Sequence, residues 1–529
     1  MYLSSTQTDS FHQLQSKLRD RWQSIDQFDR NDCDILVIPS VTLDQRELRK
    51  IRGIHYYEER LLFSLIRLRN PRTRLIYITS QPLHPSIVDY YLQLLPGIPF
   101  SHARSRLLLL SVYDSSCRSL TEKILERPRL MERIRQSLRL DQAYMTCYNS
   151  TEFERDLSVK LGVPLLAVDP DLLPWGTKSG SRQIFAECGI PHPAGSDLTW
   201  TVEDLAIATA ILWEQQPTLR RIVIKLNEGF SGEGNALLNL RDLATVRPGE
   251  ASHAQRVAAI IQQFVHLSFQ SDQETWENFS SRIPELGAIA EAFIEGDEKR
   301  SPSVQARIVP DGTVEVLSTH DQILGGPDGQ IFLGCRFPAD DGYRRQLQTW
   351  GMKVGQALAD KGALERFSLD FVAVYQPDAP DGEEWALYAI EINLRKGGTT
   401  HPFMALALLT NGTYCLDDGL FYSRQGTPKY YVASDNLESP KYRGLMPNDL
   451  MDIIAFHRLN FRSTTETGTV FHLMGCLSEF GKLGLTSIGN SPEEAEELYQ
   501  QVVQALDEET ARDVPAPASI PVPFIGWST

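Results

Sequence analysis

The chain has 529 residues, a formal net charge of −16 at pH 7 and 42% hydrophobic residues. This length exceeds what one hydrophobic core supports and predicts roughly three domains. The acidic balance argues against a general nucleic-acid-binding or anionic-membrane-binding surface, although it leaves room for a local basic pocket that holds phosphates. No apolar run is long enough to span a bilayer, and residues 1–9 lack the basic and apolar segments of a signal peptide.

The seven cysteines are scattered along the chain and form no C-x-x-C pair. This pattern argues against a structural zinc site and against a disulfide framework. Free thiols suit a reducing compartment, so the sequence predicts a cytoplasmic protein without nucleic-acid or membrane partners.

Apolar runs at residues 34–39, 74–79 and 106–112 predict strands in the first part of the chain, which extends to about residue 165. Residues 43–69 carry leucine, isoleucine and tyrosine among charges and predict a packed helix between the first two strands. Strand–helix alternation predicts a parallel sheet with helices on its faces, as in a Rossmann-like α/β domain. No G-x-G-x-x-G follows any of these strands, so the domain carries no dinucleotide-binding signature.

Two lysines and a glycine-rich loop form the next pattern. Lys178 precedes a helix that ends at a Gly/Pro-rich stop, and a β-branched strand delivers Lys225 into the loop. Glycines let backbone N–H groups approach phosphate oxygens, and lysine supplies a compact charge. Neither a Walker A loop nor a protein kinase places its glycines after the lysine in this way. The alternative to a phosphate-binding loop is an ordinary hairpin. The loop residues that would approach phosphates are Gly229, Ser231, Gly232 and Gly234.

Residues 288–294 predict a strand or linker that carries Glu291 and is followed by Glu298. The backbone of such a linker can hydrogen-bond an adenine edge, and a carboxylate can accept hydrogen bonds from both ribose hydroxyls. A strand pair joined by a Pro-Asp-Gly turn comes next along the chain. His320 and Arg336 follow, and they either line a pocket for a substrate carboxylate or are structural.

Two apolar runs separated by a turn-rich segment predict a hairpin at residues 367–375 and 385–392. If these strands pair, Asp370 and Glu391 point from one sheet face toward a common spot. Asn393 adds a neutral oxygen beyond Glu391. Carboxylate and amide oxygens suit a hard cation such as Mg²⁺, which usually shares its shell with nucleotide phosphates. The alternative is a purely structural hairpin whose acidic residues are solvated.

In this order and spacing the motifs resemble the ATP-grasp superfamily over roughly residues 165–410. The resemblance implies that both lysines hold ATP phosphates, that the glycine-rich loop folds over them, and that residues 291–294 contact adenine. It also implies that Glu298 binds ribose, and that the acidic hairpin holds magnesium. The residues that carry the resemblance are Lys178, Lys225, Gly229, Gly234, Glu291, Ala292, Phe293, Ile294, Glu298, Asp370, Glu391 and Asn393.

The whole-chain layout is similar to the pheganomycin peptide-ligase-related ATP-grasp proteins. These carry a Rossmann-like pre-ATP-grasp domain and a C-terminal domain with a Val-Phe-His-Leu/Met stretch, which residues 468–477 match. The implied class is α/β and α+β: a Rossmann-like pre-ATP-grasp domain, a two-subdomain ATP-grasp fold and a C-terminal α+β extension. The implied boundaries are 1–165, 166–410, 411–512 and a proline-rich tail at 513–529.

The resemblance implies an ATP-dependent carboxylate–amine ligase that works through an acyl phosphate and releases ADP and phosphate. Lys225 and Arg395 would be catalytic. Arg395, Gly397 and Gly398 would stabilise the tetrahedral oxyanion, the glycines through their backbone N–H groups. His401 would help to deprotonate the amine or would only terminate a loop. The implied cofactors are ATP and Mg²⁺, and the implied substrates are a small-molecule carboxylate and an amine, an amino acid or a peptide.

Two other functions fit the same motifs. One is a catalytically silent ATP-binding or regulatory module whose C-terminal region recruits a partner. The other is a ligase that passes the acyl phosphate to a thiol or another non-amine nucleophile. The full metal set and both lysines favour the amide-forming ligase, because a pure binder needs no complete metal site. The sequence leaves the oligomeric state open, with a homodimer as one option.

Overall fold

The N-terminal part of the computed structural model is a five-stranded sheet with helices around it. The structure describes residues 5–26, 31–229, 234–269, 274–325, 331–380 and 384–511. The strands are β1 Asp34–Ile38, β2 Arg74–Thr79, β3 Leu107–Ser111, β4 Ala143–Cys147 and β5 Leu165–Leu166. They are parallel and lie in the order β3-β2-β1-β4-β5, as strand–helix alternation predicts. The helices are α1 Ser5–Asp26, α2 Gln45–Lys50, α3 Pro85–Gln93, α4 Phe100–Arg104, α5 Leu120–Leu125, α6 Pro128–Ser137 and α7 Glu152–Leu161.

The segment 43–69 differs from the single helix that its amphipathic pattern predicts. Helix α2 ends at Lys50, and a long 3-10 helix follows over Ile54–Arg69, here called the 54–69 helix. Gly53 between them has φ of 68°, a left-handed conformation that interrupts an α-helix and favours glycine. The 54–69 helix is buried along most of its length, so packing against its neighbours stabilises it in place of α-helical hydrogen bonding.

A small antiparallel sheet follows in the chain. Its strands are β6 Arg221–Leu226, β7 Asn235–Asn239, β8 Ser268–Phe269 and β9 Ala288–Ala292. They lie in the order β8-β7-β6-β9, and β6 pairs with β7 on one side and with β9 on the other. The surrounding helices are α8 Lys178–Glu187, α9 Val202–Gln215, α10 His253–Gln263 and α11 Trp276–Leu286.

A large sheet of 11 strands makes up the rest of the structure. Its first strands are β10 Lys299–Arg300, β11 Pro302–Ile308, β12 Val314–Gly325, β13 Ile331–Phe337, β14 Glu365–Tyr375 and β15 Trp385–Asn393. Helix α12, Arg344–Asp360, packs on β11 and β12, and α13, Thr400–Thr410, follows β15. The hairpin that the sequence predicts is present, because β14 and β15 pair in antiparallel register.

The C-terminal region continues the large sheet. Its elements are β16 Thr413–Tyr414, β17 Phe421–Tyr422, β18 Pro428–Glu438, α14 Pro447–Phe456, β19 Gly468–His472, α15 Cys476–Phe480, β20 Lys482–Gly489 and α16 Pro492–Ala511. Strand β18 pairs with β13 on one side and with β20 on the other. One apolar core joins the 54–69 helix, α13, β19 and β20, so the N-terminal and C-terminal parts pack on each other. The predicted proline-rich tail, 513–529, lies outside the described residues.

No helix within the described ranges is both long enough and apolar enough to cross a membrane.

Glu59 makes the contact between the N-terminal and C-terminal parts sensitive to pH. Its buried carboxyl accepts the backbone N–H of Gly475, and burial raises the pKa of Glu59 to about 8. The folded chain therefore keeps a proton that the unfolded chain releases near pH 4.5. We expect the unfolding free energy to fall as pH rises from about 5 to 8, by roughly 1 kcal/mol per pH unit from this group.

Glu59→Gln tests this linkage, because glutamine stays neutral and keeps an oxygen for Gly475. Its stability relative to the wild type is expected to increase from pH 5 to pH 8 and then to level off, as measured by urea unfolding at each pH. The exposed Glu497 is the matched control, and Glu497→Gln should follow the wild-type pH profile. Parallel profiles for Glu59→Gln and the wild type would contradict the prediction.

Candidate active site

One large cavity lies where the small sheet, the large sheet, the 54–69 helix and the C-terminal strands meet. Its volume is about 1040 Å³, at the upper end of the ~300–1,000 Å³ usual for small-molecule pockets. Most of the site residues predicted from the sequence line it, although they come from elements far apart along the chain. These are Lys225, Glu291, Ala292, Phe293, Ile294, Arg336, Asp370, Glu391, Asn393, Arg395, Gly397 and Gly398.

The acidic hairpin lines this cavity with two carboxylates side by side. Asp370 on β14 is paired in register with Glu391 on β15, and a bulge lies directly after Asp370. Gln322 donates to Asp370 Oδ1 at 2.7 Å, and Asn393 donates to Asp370 Oδ2 at 2.8 Å. These two hydrogen bonds hold the carboxylate of Asp370 in place beside Glu391.

Lys178 reaches the acidic hairpin from the start of α8. Its Nζ forms a salt bridge with Glu391 Oε1, and the lysine is buried. The backbone N–H of Lys178 donates to the carbonyl oxygen of Asn227 at 3.0 Å, and Ser179 N–H donates to Asn227 Oδ1 at 2.9 Å. Asn227 follows β6, so the start of α8 is tied to the strand that carries the second lysine.

Lys225 and Glu291 form a second buried pair on the small sheet. Lys225 on β6 and Glu291 on β9 lie on neighbouring strands, and their side chains meet with Nζ 2.5 Å from Oε2. Arg182 approaches the other carboxylate oxygen of Glu291 at 3.4 Å. Both partners of the lysine–glutamate pair are almost inaccessible to solvent. The two lysines therefore each have one carboxylate partner within the same site.

The charges of the hairpin shift the pKa values of its two acids in opposite directions. Burial, and then the negative charge of Glu391, raise the pKa of Asp370 to about 6. Burial would also raise the pKa of Glu391, but Lys178 and Arg395 hold it below its ordinary value. A half-buried aspartate next to an ionised glutamate is destabilised in its charged form, and a bound cation would relieve this.

The donor set of the hairpin fits Mg²⁺. Within the ranges that the structure covers, no three His, Cys, Asp or Glu side chains come together as a metal site, so an all-protein cage is not formed. Mg²⁺ is usually held by one or two carboxylates and by substrate phosphates. Asp370 and Glu391 supply the two carboxylates, and Asn393 supplies an amide beside them.

The segment Glu291–Ile294 runs along the cavity between the two sheets. Ala292 and Phe293 donate their backbone N–H groups to backbone carbonyls, which fixes this segment as an extended edge. The guanidinium of Arg221 lies 3.8 Å from the centre of the Phe293 ring, and Lys299 Nζ lies 4.4 Å from it. Glu298 does not line the cavity; its carboxylate is half exposed and 3.6 Å from Arg300.

The two predicted histidines lie in the core and do not line the cavity. His320 Nε2 is 2.7 Å from the hydroxyl of Tyr431, and burial lowers the pKa of His320 to about 3. His401 Nδ1 is 3.2 Å from the carbonyl oxygen of Arg60, and its ring packs 3.8 Å from that of His472. Burial lowers the pKa of His401 well below its ordinary value.

The glycine-rich loop is described only at its two ends. A Cβ on Gly229 would lie 3.4 Å from the Cα of Gly234, so the loop closes back on itself where the two glycines meet. Ser231 and Gly232 lie outside the described residues. Arg336 lines the cavity and its guanidinium is 3.1 Å from Glu496 of α16.

Sequence reasoning missed a group of cavity residues from the N-terminal and C-terminal parts. The sequence predicts residues 54–69 only as part of a packed helix, and no site motif falls on β18 or β20. No local pattern marks these residues, because their partners lie hundreds of positions away. They are Tyr57, Arg60, Tyr148, Asp435 and Lys482.

Comparison with known proteins agrees with this architecture. The family described as IQCH-like, ATP-grasp matches residues 173–257 and 250–416, and the PGM1 C-terminal domain matches residues 449–502. The L-propargylglycine–L-glutamate ligase of Streptantibioticus cattleyicolor is 30% identical over 481 residues, which cover 89% of this chain and 93% of that protein. The chain belongs to the ATP-grasp family. It is an ATP-dependent ligase that forms a carbon–nitrogen bond, as its motifs predict.

Two further relatives of this ATP-grasp chain differ in extent. The IQ motif-containing protein H of Danio rerio is 26% identical over 447 residues, which cover 77% of this chain but only 41% of that protein. The biotin carboxylase domain of the 2-oxoglutarate carboxylase of Hydrogenobacter thermophilus, solved with magnesium ADP, ADP and bicarbonate, aligns over 89% of both chains. Its TM-score is 0.53 at 14% identity, so that likeness concerns the fold alone.

Proposed function

We propose that this ligase activates a small-molecule carboxylate with ATP and joins it to the amine of an amino acid or short peptide, with release of ADP and phosphate. The observation that carries the proposal is the convergence of two buried lysines on one site: Lys225 lines the cavity together with the acidic hairpin, and Lys178 reaches Glu391 of that hairpin. Lys225 contacts Glu291, and Lys178 contacts Glu391 next to Asp370. The named function of the Streptantibioticus relative, which joins two amino acids, supports this substrate class.

The nucleotide would lie with its base along the segment 291–294 and its phosphates at the two lysines. In this structure each lysine neutralises one carboxylate. A bound triphosphate would offer each lysine a more highly charged anionic partner. The glycine-rich loop that leads from Gly229 to Gly234 would cover the phosphates. Glu298 would bind ribose, and its half-exposed carboxylate needs only to turn from Arg300 to do so.

Asp370, Glu391 and Asn393 would hold Mg²⁺ against the phosphates. The ion, when bound, neutralises phosphate charge and aligns the terminal phosphate with the attacking carboxylate. The hairpin contributes the geometry, because Gln322 and Asn393 fix Asp370 in register with Glu391.

The reaction would proceed in two displacements. A substrate carboxylate oxygen attacks the terminal phosphorus of ATP, ADP leaves, and an acyl phosphate forms. The amine nitrogen then attacks the acyl carbon, phosphate leaves, and the nitrogen gives up a proton as the amide forms. Arg395 lines the cavity beside Glu391 and would stabilise the tetrahedral oxyanion.

Of Gly397, Gly398 and His401, only Gly398 keeps the role that the motif implies. Gly397 N–H donates to Thr400 Oγ1 at 3.0 Å, so Gly398 is the glycine of this pair that we assign to the oxyanion. His401 lies beneath the cavity wall, with Nδ1 on the carbonyl of Arg60. We therefore assign the removal of the amine proton to no protein side chain.

An ADP-release assay with ATP, Mg²⁺ and pools of amino acids and short peptides tests the proposal. L-glutamate and L-propargylglycine, the substrates named for the Streptantibioticus relative, belong in the first pool. ADP release that requires both a carboxylate and an amine is expected, and hydroxylamine should trap the acyl phosphate as a hydroxamate. ATP binding without turnover in every pool would contradict the proposal. Release that requires a thiol instead of an amine would favour the non-amine ligase.

We also propose a reducing compartment, the cytoplasm, as the place where the protein works. All seven cysteines are free thiols, and five of them are buried. Secreted proteins commonly convert neighbouring thiols to disulfides.

A further inference from the structure

Part of the cavity wall comes from outside the region that the ATP-grasp family matches. Residues 173–416 carry the nucleotide and metal residues discussed above. Tyr57 and Arg60 come from the 54–69 helix, and Lys482 begins β20 of the C-terminal region. These three residues, here called the basic wall, share the cavity with Asp370, Glu391 and Arg395.

Arg60 is held rigidly in the basic wall. One guanidinium nitrogen lies 2.6 Å from Asp435 Oδ2, another donates to the hydroxyl of Tyr148 at 3.1 Å, and the guanidinium covers the ring of Tyr57 at 4.1 Å. Asp435 is in turn 2.6 Å from Nε2 of the buried His472. Arg60 and Asp435 thus form a neutral buried pair that presents a fixed edge to the cavity.

Lys482 lines the cavity and forms no salt bridge with a carboxylate of the described residues. Its Nζ contacts the hydroxyl of Tyr57 at 2.9 Å and lies 5.3 Å from the centre of the Tyr57 ring. Glu438 lies opposite Lys482 in the register of β18 and β20 and lines the same cavity, but its carboxylate pairs with Arg52 at 3.1 Å. Arg60 and Lys482 both lie near the ring of Tyr57, and of these two cations only Arg60 forms a salt bridge with an acid of the described residues. Because Asp435 neutralises Arg60, Lys482 is the cation of this wall that is open to a bound anion.

We infer that the basic wall binds a substrate carboxylate that is not the one being activated. This inference rests on the proposed function, because that reaction consumes one carboxylate at the acidic hairpin and Arg395. A second carboxylate in the same cavity needs a second cationic site, and Lys482 with the Tyr57 hydroxyl provides one. The substrate class is therefore an α-amino acid, or a peptide with a free C-terminus.

Either of two substrates can carry this second carboxylate: the substrate that is activated or the substrate that supplies the amine. Each active pair found in the ADP-release assay is repeated with a carboxamide in place of the carboxylate that is not activated, on one partner at a time, so that the carboxylate that ATP phosphorylates is kept. The partner whose amide raises KM is the one that the basic wall holds. We expect this rise for one partner only, by roughly tenfold or more, because a charge-assisted hydrogen bond is lost.

Lys482→Met tests the assignment to the residue. The variant is expected to raise KM for the acid form of that partner by roughly tenfold or more, with KM for ATP unchanged. It should also remove the preference for acid over carboxamide, and Lys482→Arg should restore part of it. Lys441→Met is the matched control, because Lys441 is an exposed lysine of the same region that does not line the cavity.

The outcomes separate the two proposals. Turnover with equal KM for acid and carboxamide in the wild type would overturn the basic wall and leave the ligase reaction intact. A preference for the acid that survives in a folded Lys482→Met variant would also overturn it. Absence of ADP release with every pair would overturn the reaction, and the inference that depends on it.

Discussion

Glu391→Gln is expected to lower ADP formation by at least about a hundredfold while the chain remains folded. Loss of a group that only supports a metal ligand typically lowers activity by about 10- to 100-fold, and Glu391 would contact the ion directly. Glutamine keeps the shape and an oxygen but removes the charge that balances both Mg²⁺ and Lys178. The measurement is ADP release at saturating ATP and Mg²⁺ with an active substrate pair.

A structural effect of this variant is separable from the catalytic one. Lys178 loses its carboxylate partner, and because Glu391 is 23% exposed we expect destabilisation of about 1–3 kcal/mol, less than for a fully buried pair. Urea unfolding measures this difference. Glu187→Gln is the matched control, since Glu187 is a surface glutamate paired with Lys361, and it should retain full activity.

Asp370→Asn provides a second test on the same hairpin. Burial and Glu391 already disfavour the charge of Asp370, so a neutral amide is expected to leave stability at pH 7 nearly unchanged. Activity should nevertheless fall as far as in Glu391→Gln. If either variant, once shown to be folded, formed ADP at the wild-type rate, the acidic hairpin would have no part in the reaction.

Lys225→Met is expected to weaken ATP binding by about 10- to 100-fold and to abolish measurable turnover at ordinary ATP concentrations. Lys225 is the buried cation on the small sheet, and a charge-assisted contact to phosphate is typically worth about 1.5–3 kcal/mol. Isothermal titration with ATP and Mg²⁺ measures the affinity. Lys160→Met, at a surface lysine paired with Asp156, should bind ATP as the wild type does.

The single variant also leaves Glu291 buried, with Arg182 as its remaining salt-bridge partner among the described residues, so the stability of the variant is expected to fall. Combining it with Glu291→Gln removes the orphaned charge. The double variant should regain most of the lost stability but none of the ATP affinity. Recovery of ATP affinity in the double variant would show that Lys225 acts only by neutralising Glu291.

Local patterns were sufficient to predict the first three strands and the acidic hairpin. The runs at 34–39, 74–79 and 106–112 correspond to β1, β2 and β3, because a buried parallel strand is apolar over its whole length. The acidic hairpin could be predicted because its two strands and its turn lie close together in the chain. The prediction of a single helix over residues 43–69 was wrong, because amphipathic spacing does not reveal the left-handed turn at Gly53.

The burial of individual side chains could not be predicted in this way. His401 follows the site motif directly, and yet α13 packs it against His472 in the core. His472 is itself fully buried in this core. Whether a histidine lines a cavity or is buried in the core depends on the elements that pack around it, and those elements come from other parts of the chain.

The fold family, the order of the motifs and the acidic residues of the hairpin could all be predicted from the sequence. Each motif consists of residues close together in the chain, and the order of the motifs is visible along it. Only the tertiary structure paired Lys178 with Glu391 and brought Tyr57 and Lys482 to one wall. Such contacts form between residues that are far apart along the chain. They depend on how sheets and helices pack, which no local spacing encodes.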